Sequence, residues 1–209
     1  MQEDILTHLK QKYQPDAIIL HGSRARGLAR KHSDWDFIFL YEKENKNVVS
    51  GRELFKSQNI EFVSIVLPVE DILEVLGTKL QAAIVLHEDN HQGTELLEEA
   101  RKIYSAGLFW SEQKISGHKL WIQGRIDGMR DNVERPILFY KYYSDFYPRV
   151  FSYWYWIKQE SYSQPIYVAL TDIKSEDPDY FNLIEQLISA ASLVDKIEVT
   201  EKIRDYLFK

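Results

Sequence analysis

Apolar positions along the chain follow two regimes. Up to about residue 90 they form short runs bounded by polar residues, glycine or proline. Ala17–Leu20 (AIIL), Trp35–Tyr41 (WDFIFLY), Ile60–Leu67 (IEFVSIVL) and Ala82–Leu86 (AAIVL) are too short for helices and too apolar to be exposed, which predicts four buried strands. Ahead of them, EDILTHLKQKY sets Ile5, Leu6, Leu9 and Tyr13 at helical spacing, and Pro15-Asp16 ends that helix. Val48–Lys56 reads as a helix with Leu54 and Phe55 inward, and Val69–Leu76 as another, closed by Gly77. From Thr94 onward the spacing turns helical. Thr94–Tyr104 aligns Leu96, Leu97, Ala100 and Ile103, with Thr94 as its cap. Ser111–Gly124 and Arg135–Ile157 follow, the second divided or kinked at Pro148. Asp177-Pro178 opens a helix to Leu193, Thr200–Phe208 forms the last, and Ile166–Lys174 is ambiguous. The pattern predicts an α+β protein: a small mixed-sheet domain over residues 1–91, then an all-helical domain over 92–209.

Composition narrows the partners. Apolar residues make up 44% and charged residues 28%, an ordinary globular balance. The sequence contains no run of 18 apolar residues and no cationic leader, so neither a membrane span nor a signal peptide is expected. The absence of cysteine rules out disulfides and thiolate metal sites and fits a cytoplasmic protein. A net charge of -6 leaves no broad basic field, which argues against a long nucleic-acid partner. The densest basic cluster is Arg24, Arg26, Arg30 and Lys31.

That cluster lies inside the stretch with the most chemistry, AIILHGSRARGLARKHSDWDFIFL. Glycine after a buried strand lets the backbone turn sharply and a bulky anion approach the amides. Ser23 adds a hydroxyl beside Gly22. The loop is not a Walker A sequence, nor does it have the GxGxxG spacing. Further on, Asp34 and Asp36 flank Trp35 at the entrance of a strand, where residues two apart face the same way. Two like charges on one face repel, and a divalent cation turns that liability into a metal site. A phosphate cradle ahead of a carboxylate pair is the minimum apparatus for phosphoryl or nucleotidyl transfer.

These residues resemble the DNA polymerase β-like nucleotidyltransferase superfamily, whose pattern is Gly-Ser or Gly-Gly, a spacer, Asp-x-Asp/Glu and a third carboxylate between apolar residues. GSRARG followed by SDWDFIF is similar to the small bacterial branch of minimal and aminoglycoside nucleotidyltransferases, over roughly residues 17–67. The resemblance implies that Gly22 and Ser23 bind the triphosphate, helped by Arg24 and Arg26. It implies that Asp34 and Asp36 hold two Mg²⁺ ions, for which Mn²⁺ can substitute. Glu61, between Ile60 and Phe62, is the best third carboxylate, as a metal ligand and as the base for the acceptor hydroxyl. Glu70 and Glu88 are poorer candidates. The implied reaction moves a nucleoside monophosphate from an NTP, ATP among them, to a hydroxyl on an unidentified acceptor. A small molecule or a protein suits the charge better than a long nucleic acid.

The helical half concentrates tyrosine and tryptophan between residues 104 and 167. A ring-rich helical core accounts for most of this, while YWYWIKQESYSQPIY (residues 153–167) could also line a cleft that stacks on a base or sugar. Minimal nucleotidyltransferases often have helical HEPN partners. The arginine-to-histidine spacing of that class is missing at Arg125, Arg130 and Arg135, so its ribonuclease chemistry is not expected here. Two readings follow: a Mg²⁺-dependent nucleotidyltransferase, or a degenerate module of the same fold that binds nucleotide or a protein partner.

Overall fold

The structure is a computed structural model and describes residues 2–44, 48–69, 76–108 and 110–209. By internal contacts the chain divides into two compact units, residues 1–106 and 107–209. The first is a five-stranded mixed sheet with helices on it, and the second is mainly helical. None of the described helices is long and apolar enough to cross a membrane.

In the first unit, α1 (Gln2–Tyr13) leads into β1 (Ala17–His21), a single helical turn α2 (Gly22–Ala25) and β2 (Trp35–Tyr41). An edge hairpin follows, β3 (Gly51–Phe55) and β4 (Gln58–Val66); a 3₁₀ turn (Lys79–Ala82) then precedes β5 (Ile84–Glu88) and α3 (Gln92–Ser105). The sheet order is β3-β4-β2-β1-β5. β2 and β4 run parallel, and the other neighbours are antiparallel. Strand alternation splits the apolar residues between two faces. Ile18, Leu20, Phe37, Phe39, Ile60 and Phe62 pack under Ile5, Leu9 and Tyr13 of α1. Ala17, Ile19, Ile38, Leu40 and Ile65 pack under Leu96, Leu97 and Ala100 of α3. Glu53 ties β3 to α1, accepting from His8 Nε2 at 2.9 Å, from Tyr13 Oη at 2.8 Å and from Lys12.

Two expectations are corrected. Residues 48–56 are not a helix: Gly51–Phe55 is the edge strand, turned back on β4 by Lys56 and Ser57, both at positive φ. Such a two-residue turn matches the twist of the strands, but Lys-Ser lacks the Asn-Gly signature that would have announced it. The compact first unit ends at Ala106. The reason is packing: α3 contributes Leu96, Leu97 and Ala100 to the sheet's core. Thr94 does not cap α3, since His91 holds the N-cap position and Glu88 accepts from the Thr94 amide and hydroxyl at 2.9 and 2.6 Å. Glu88 is thereby engaged in structure. The helix expected over Val69–Leu76 falls almost wholly outside the described residues, Glu70 with it.

The second unit consists of α4 (Glu112–Arg130), α5 (Pro136–Phe146), α6 (Arg149–Tyr153) continuing into a π turn (Trp154–Lys158), α7 (Ile166–Glu176), α8 (Pro178–Ser189) and α9 (Leu193–Leu207). Pro148 separates α5 from α6, as its missing donor dictates. Asp177 caps α8 by accepting from the Tyr180 amide, and also accepts from Trp154 Nε1 at 2.9 Å and Tyr206 Oη at 2.6 Å. The last helix begins seven residues before the expected Thr200, at a Ser192–Asp195 capping box. Ile166–Lys174, ambiguous by period, is helical.

A chain ending at Ala106 should therefore unfold cooperatively, whereas one ending at His91 should not fold. The shorter chain loses two buried leucines, each worth about 2 kcal/mol of apolar burial, and strips cover from one sheet face. Urea denaturation followed by circular dichroism checks this, and a cooperative transition in the 1–91 chain would refute the assignment of α3.

Candidate active site

The face of the sheet under α3 is apolar along most of each strand and becomes polar at one end. Ala17 and Ile19 of β1 are followed on that face by His21. Leu40 and Ile38 of β2 are preceded by Asp36, with Asp34 just ahead of the strand, and Ile65 and Val63 of β4 by Glu61. Pairing aligns these ends. His21 lies opposite Asp36, Asp36 opposite Glu61, and Glu61 opposite Arg52. Directly paired residues share a face, so four strands carry one cross-strand row: Arg52, Glu61, Asp36, His21.

Gly22 closes the row. Its φ of +71° belongs to the left-handed region, and an added Cβ would overlap Asp36 Oδ2. Only a residue without a side chain lets the turn come this close to the carboxylate. Gly22 and Ser23 open the α2 turn, with Leu28 N donating to Ser23 O at 2.9 Å. Arg24 folds back instead of reaching outward: Nε donates to Asp34 O at 3.0 Å, Nη2 to Ser33 O at 2.6 Å, and the guanidinium lies 4.1 Å from the Trp35 ring centre. It fixes the loop that delivers Asp34. Arg26 caps the α2 turn.

Electrostatics mark the row as a site. Burial raises the Asp36 carboxyl above its usual range, and the charges of Glu61 and Asp34 raise it further against Lys79 and Arg24. His21 is pushed down to about 4 by burial and by Lys79, with Glu61 opposing. The imidazole is therefore neutral near pH 7. Glu61 accepts from Arg52 Nε at 2.7 Å, and its charge is thereby partly compensated. A cleft of about 380 Å³ takes in Arg52 and Glu61 of the row, and a second of about 320 Å³ shares Asp34 and Asn59 with it.

Of the sequence-predicted residues, Gly22, Asp36 and Glu61 meet at this end of the sheet, with Asp34 and Arg24 near Asp36. Among the described residues, however, no group of three or more His, Asp or Glu side chains is arranged to hold a metal ion. Asp34 and Asp36 remain a pair of hard oxygen donors, and the raised carboxyl of Asp36 reflects an excess of negative charge that a divalent cation would relieve. The donor set fits Mg²⁺ chemically. Sequence reasoning missed Lys79 and Arg52. Lys79 sits in a 3₁₀ turn that packs on α2 and β1, and no pattern separates it from a surface lysine. Arg52 was hidden inside the misread helix.

The low value of His21 has a sign that can be tested. Between pH 6.5 and 4 the unfolded chain binds the imidazole proton and the folded chain does not, so stability is full above 6.5 and falls as pH drops towards 4. With divalent cations removed, His21→Gln should flatten the dependence of the urea midpoint on pH across that window. An unchanged slope would assign it to other groups. Gly22→Ala should destabilise the fold by about 1–3 kcal/mol through strain and overlap, measured in the same denaturation.

Residues 3–103 match the family model described as a nucleotidyltransferase domain. Among solved structures, the chain is similar to a nucleotidyltransferase-like protein from Exiguobacterium sibiricum 255-15, with a TM-score of 0.51 and 15% identity, over 99% of this chain and 74% of that one. At that identity the likeness concerns the fold. No protein of curated function matches the sequence. The sheet, the Gly22-Ser23 turn and the paired aspartates all lie within the stretch that matches the nucleotidyltransferase domain model.

Proposed function

We propose that the protein is a Mg²⁺-dependent nucleotidyltransferase that moves a nucleoside monophosphate from an NTP to a hydroxyl acceptor and releases pyrophosphate. The observation that carries this reading is the Gly22 turn pressed against Asp36 in the Arg52–Glu61–Asp36–His21 row. It supports a phosphate cradle and a carboxylate pair acting on one substrate. Asp34 and Asp36 would hold the metal, which when bound neutralises charge on the α-phosphate and the departing pyrophosphate. Gly22 and Ser23 would bind the β- and γ-phosphates through amides and hydroxyl. Arg24 acts by bracing the Ser33–Asp34 backbone. The acceptor oxygen attacks the α-phosphorus, the bond to the β-bridging oxygen breaks, and pyrophosphate leaves with that electron pair. The hydroxyl proton passes to Glu61, whose carboxylate Arg52 orients. Neutral His21 beside Asp36 adds no positive charge that would compete with a cation. The acceptor is a small molecule or a protein. No lysine-bearing P-loop is present to clamp a transferred γ-phosphate, which favours attack at the α-phosphorus.

One observation favours the second reading, a nucleotide- or partner-binding module. Glu61 is occupied by Arg52, and the described residues include no three-ligand metal cluster.

Incubation with Mg²⁺, α-³²P-NTPs and an acceptor pool separates the two. The enzyme labels an acceptor and releases pyrophosphate, whereas nucleotide binding without pyrophosphate from any pool establishes the module. Asp36→Asn should cut turnover about a hundredfold or more. Because the fold disfavours the ionised Asp36, the same variant should keep or raise its melting temperature in chelator, and lose the stabilisation that Mg²⁺ gives the parent. A parent protein insensitive to Mg²⁺ in both measurements would remove the metal assignment.

A further inference from the structure

The second unit contains a cluster that its folding does not account for. Among the described residues, six buried side-chain polar atoms have no hydrogen-bond partner, and four gather here: Trp110 Nε1, His118 Nε2, Arg125 Nε and Tyr153 Oη. Contacts connect them. The His118 ring meets Trp110 edge-on at 4.3 Å and Tyr153 at 5.4 Å, and Tyr153 lies 6.1 Å from Trp121. Tyr153 is fully buried, while Trp110, His118 and Trp121 are partly exposed, so solvent reaches the cluster's rim. Buried polar groups are rarely left unpaired, and four in one place are difficult to explain as packing alone.

The charge around these atoms is mainly positive. The guanidiniums of Arg125 and Arg149 lie 4.6 and 4.7 Å from the centre of the same Trp121 ring, and Lys114 lies 5.3 Å from that of Trp110. Asp145 approaches Arg125 at 3.7 Å, and among the described residues neither Arg149 nor Lys114 has a carboxylate partner. Two guanidiniums at one ring repel, and an anion within reach of both would relieve the repulsion. Cations exclude a polycationic ligand such as an amino sugar. Ring edges and unpaired donors suit a planar molecule with acceptor atoms.

We propose that residues 107–209 hold a binding site of their own for a mononucleotide unit, a planar base bearing a phosphate, at Trp110, His118, Tyr153, Arg125 and Arg149. The phosphate lies against Arg125 and Arg149, and the base takes hydrogen bonds from Trp110 and Tyr153. The site stands whether or not the first unit is catalytic, because every residue in it belongs to the second.

Indole N–H resonances of the ¹⁵N-labelled full chain test the proposal, each assigned by tryptophan-to-phenylalanine substitution. Trp35 reports on the first unit, and Trp154, held by Asp177, is an internal control. AMP should shift Trp110, while adenosine or inorganic phosphate alone should do so about tenfold more weakly, a difference of about 1.4 kcal/mol. A short single-stranded RNA acting at lower concentration than AMP would identify the nucleotide as a chain end, and the reverse order as a free one. Tyr153→Phe removes only the hydroxyl, whose nearest charged neighbour is Arg149. It should leave the melting temperature unchanged or higher and weaken AMP binding several-fold, as should Arg149→Ala. The proposal fails if AMP and RNA leave Trp110 unmoved, if adenosine equals AMP, or if both variants bind like the parent. A shift of Trp35 alone would locate binding in the first unit and equally refute it.

Discussion

An apolar sheet face that ends in uncompensated carboxylate charge is the constraint on which the first unit depends. Ile19, Ile38 and Leu40 must be covered by α3, while Asp34, Asp36 and Glu61, on the same face, must stay reachable by water or a cation. The sheet satisfies both by confining charge to the last pair or two of its ladder. Arg52, Lys79 and the Gly22 turn cluster there because that end cannot be covered by apolar side chains.

The helical unit solves a different problem. Its core holds Trp154, Tyr153 and Tyr180 with almost no exposed area, so the polar tip of each buried ring needs a partner. Asp177 serves the Trp154 and Tyr206 tips, the Val150 carbonyl serves Tyr180, and Asp172 serves Tyr155. Against that background the unpaired tips of Tyr153 and Trp110 stand out, since neighbouring rings of the same kind are satisfied.

Much of this could be read from residues alone, and the failures have physical causes. Strands showed where both faces are buried, as at Ala17–Leu20 and Trp35–Tyr41, because a continuous apolar run leaves little alternative. Gly22-Ser23 and Asp34-Trp35-Asp36 were legible because their spacing has a chemical meaning. The edge strand Gly51–Phe55 was not. It alternates only weakly, and its turn uses Lys56 and Ser57 where glycine or asparagine would have signalled a reversal. Periodicity reports secondary structure, whereas compactness depends on which core a helix joins. Leu96 and Leu97 look the same in either. Lys79 and Arg52 act through position across the fold, which no local pattern encodes.

The single parallel pairing has a further consequence. Asp36 and Glu61 meet because β2 and β4 run side by side in a register that nothing covalent close by enforces; β3, at the edge, lies between them in sequence. Strand side chains alternate, so a slip of one residue in β4 would exchange Glu61 for Ile60 or Phe62 and turn the carboxylate towards α1. Ile60 and Phe62, seated under Tyr13 and Phe39, resist that slip by packing on the opposite face. The aromatic layer beneath α1 therefore acts as the alignment gauge for the carboxylates on the opposite face of the sheet. Length changes in the 42–50 connection are tolerable to the site only while that gauge keeps β4 in phase.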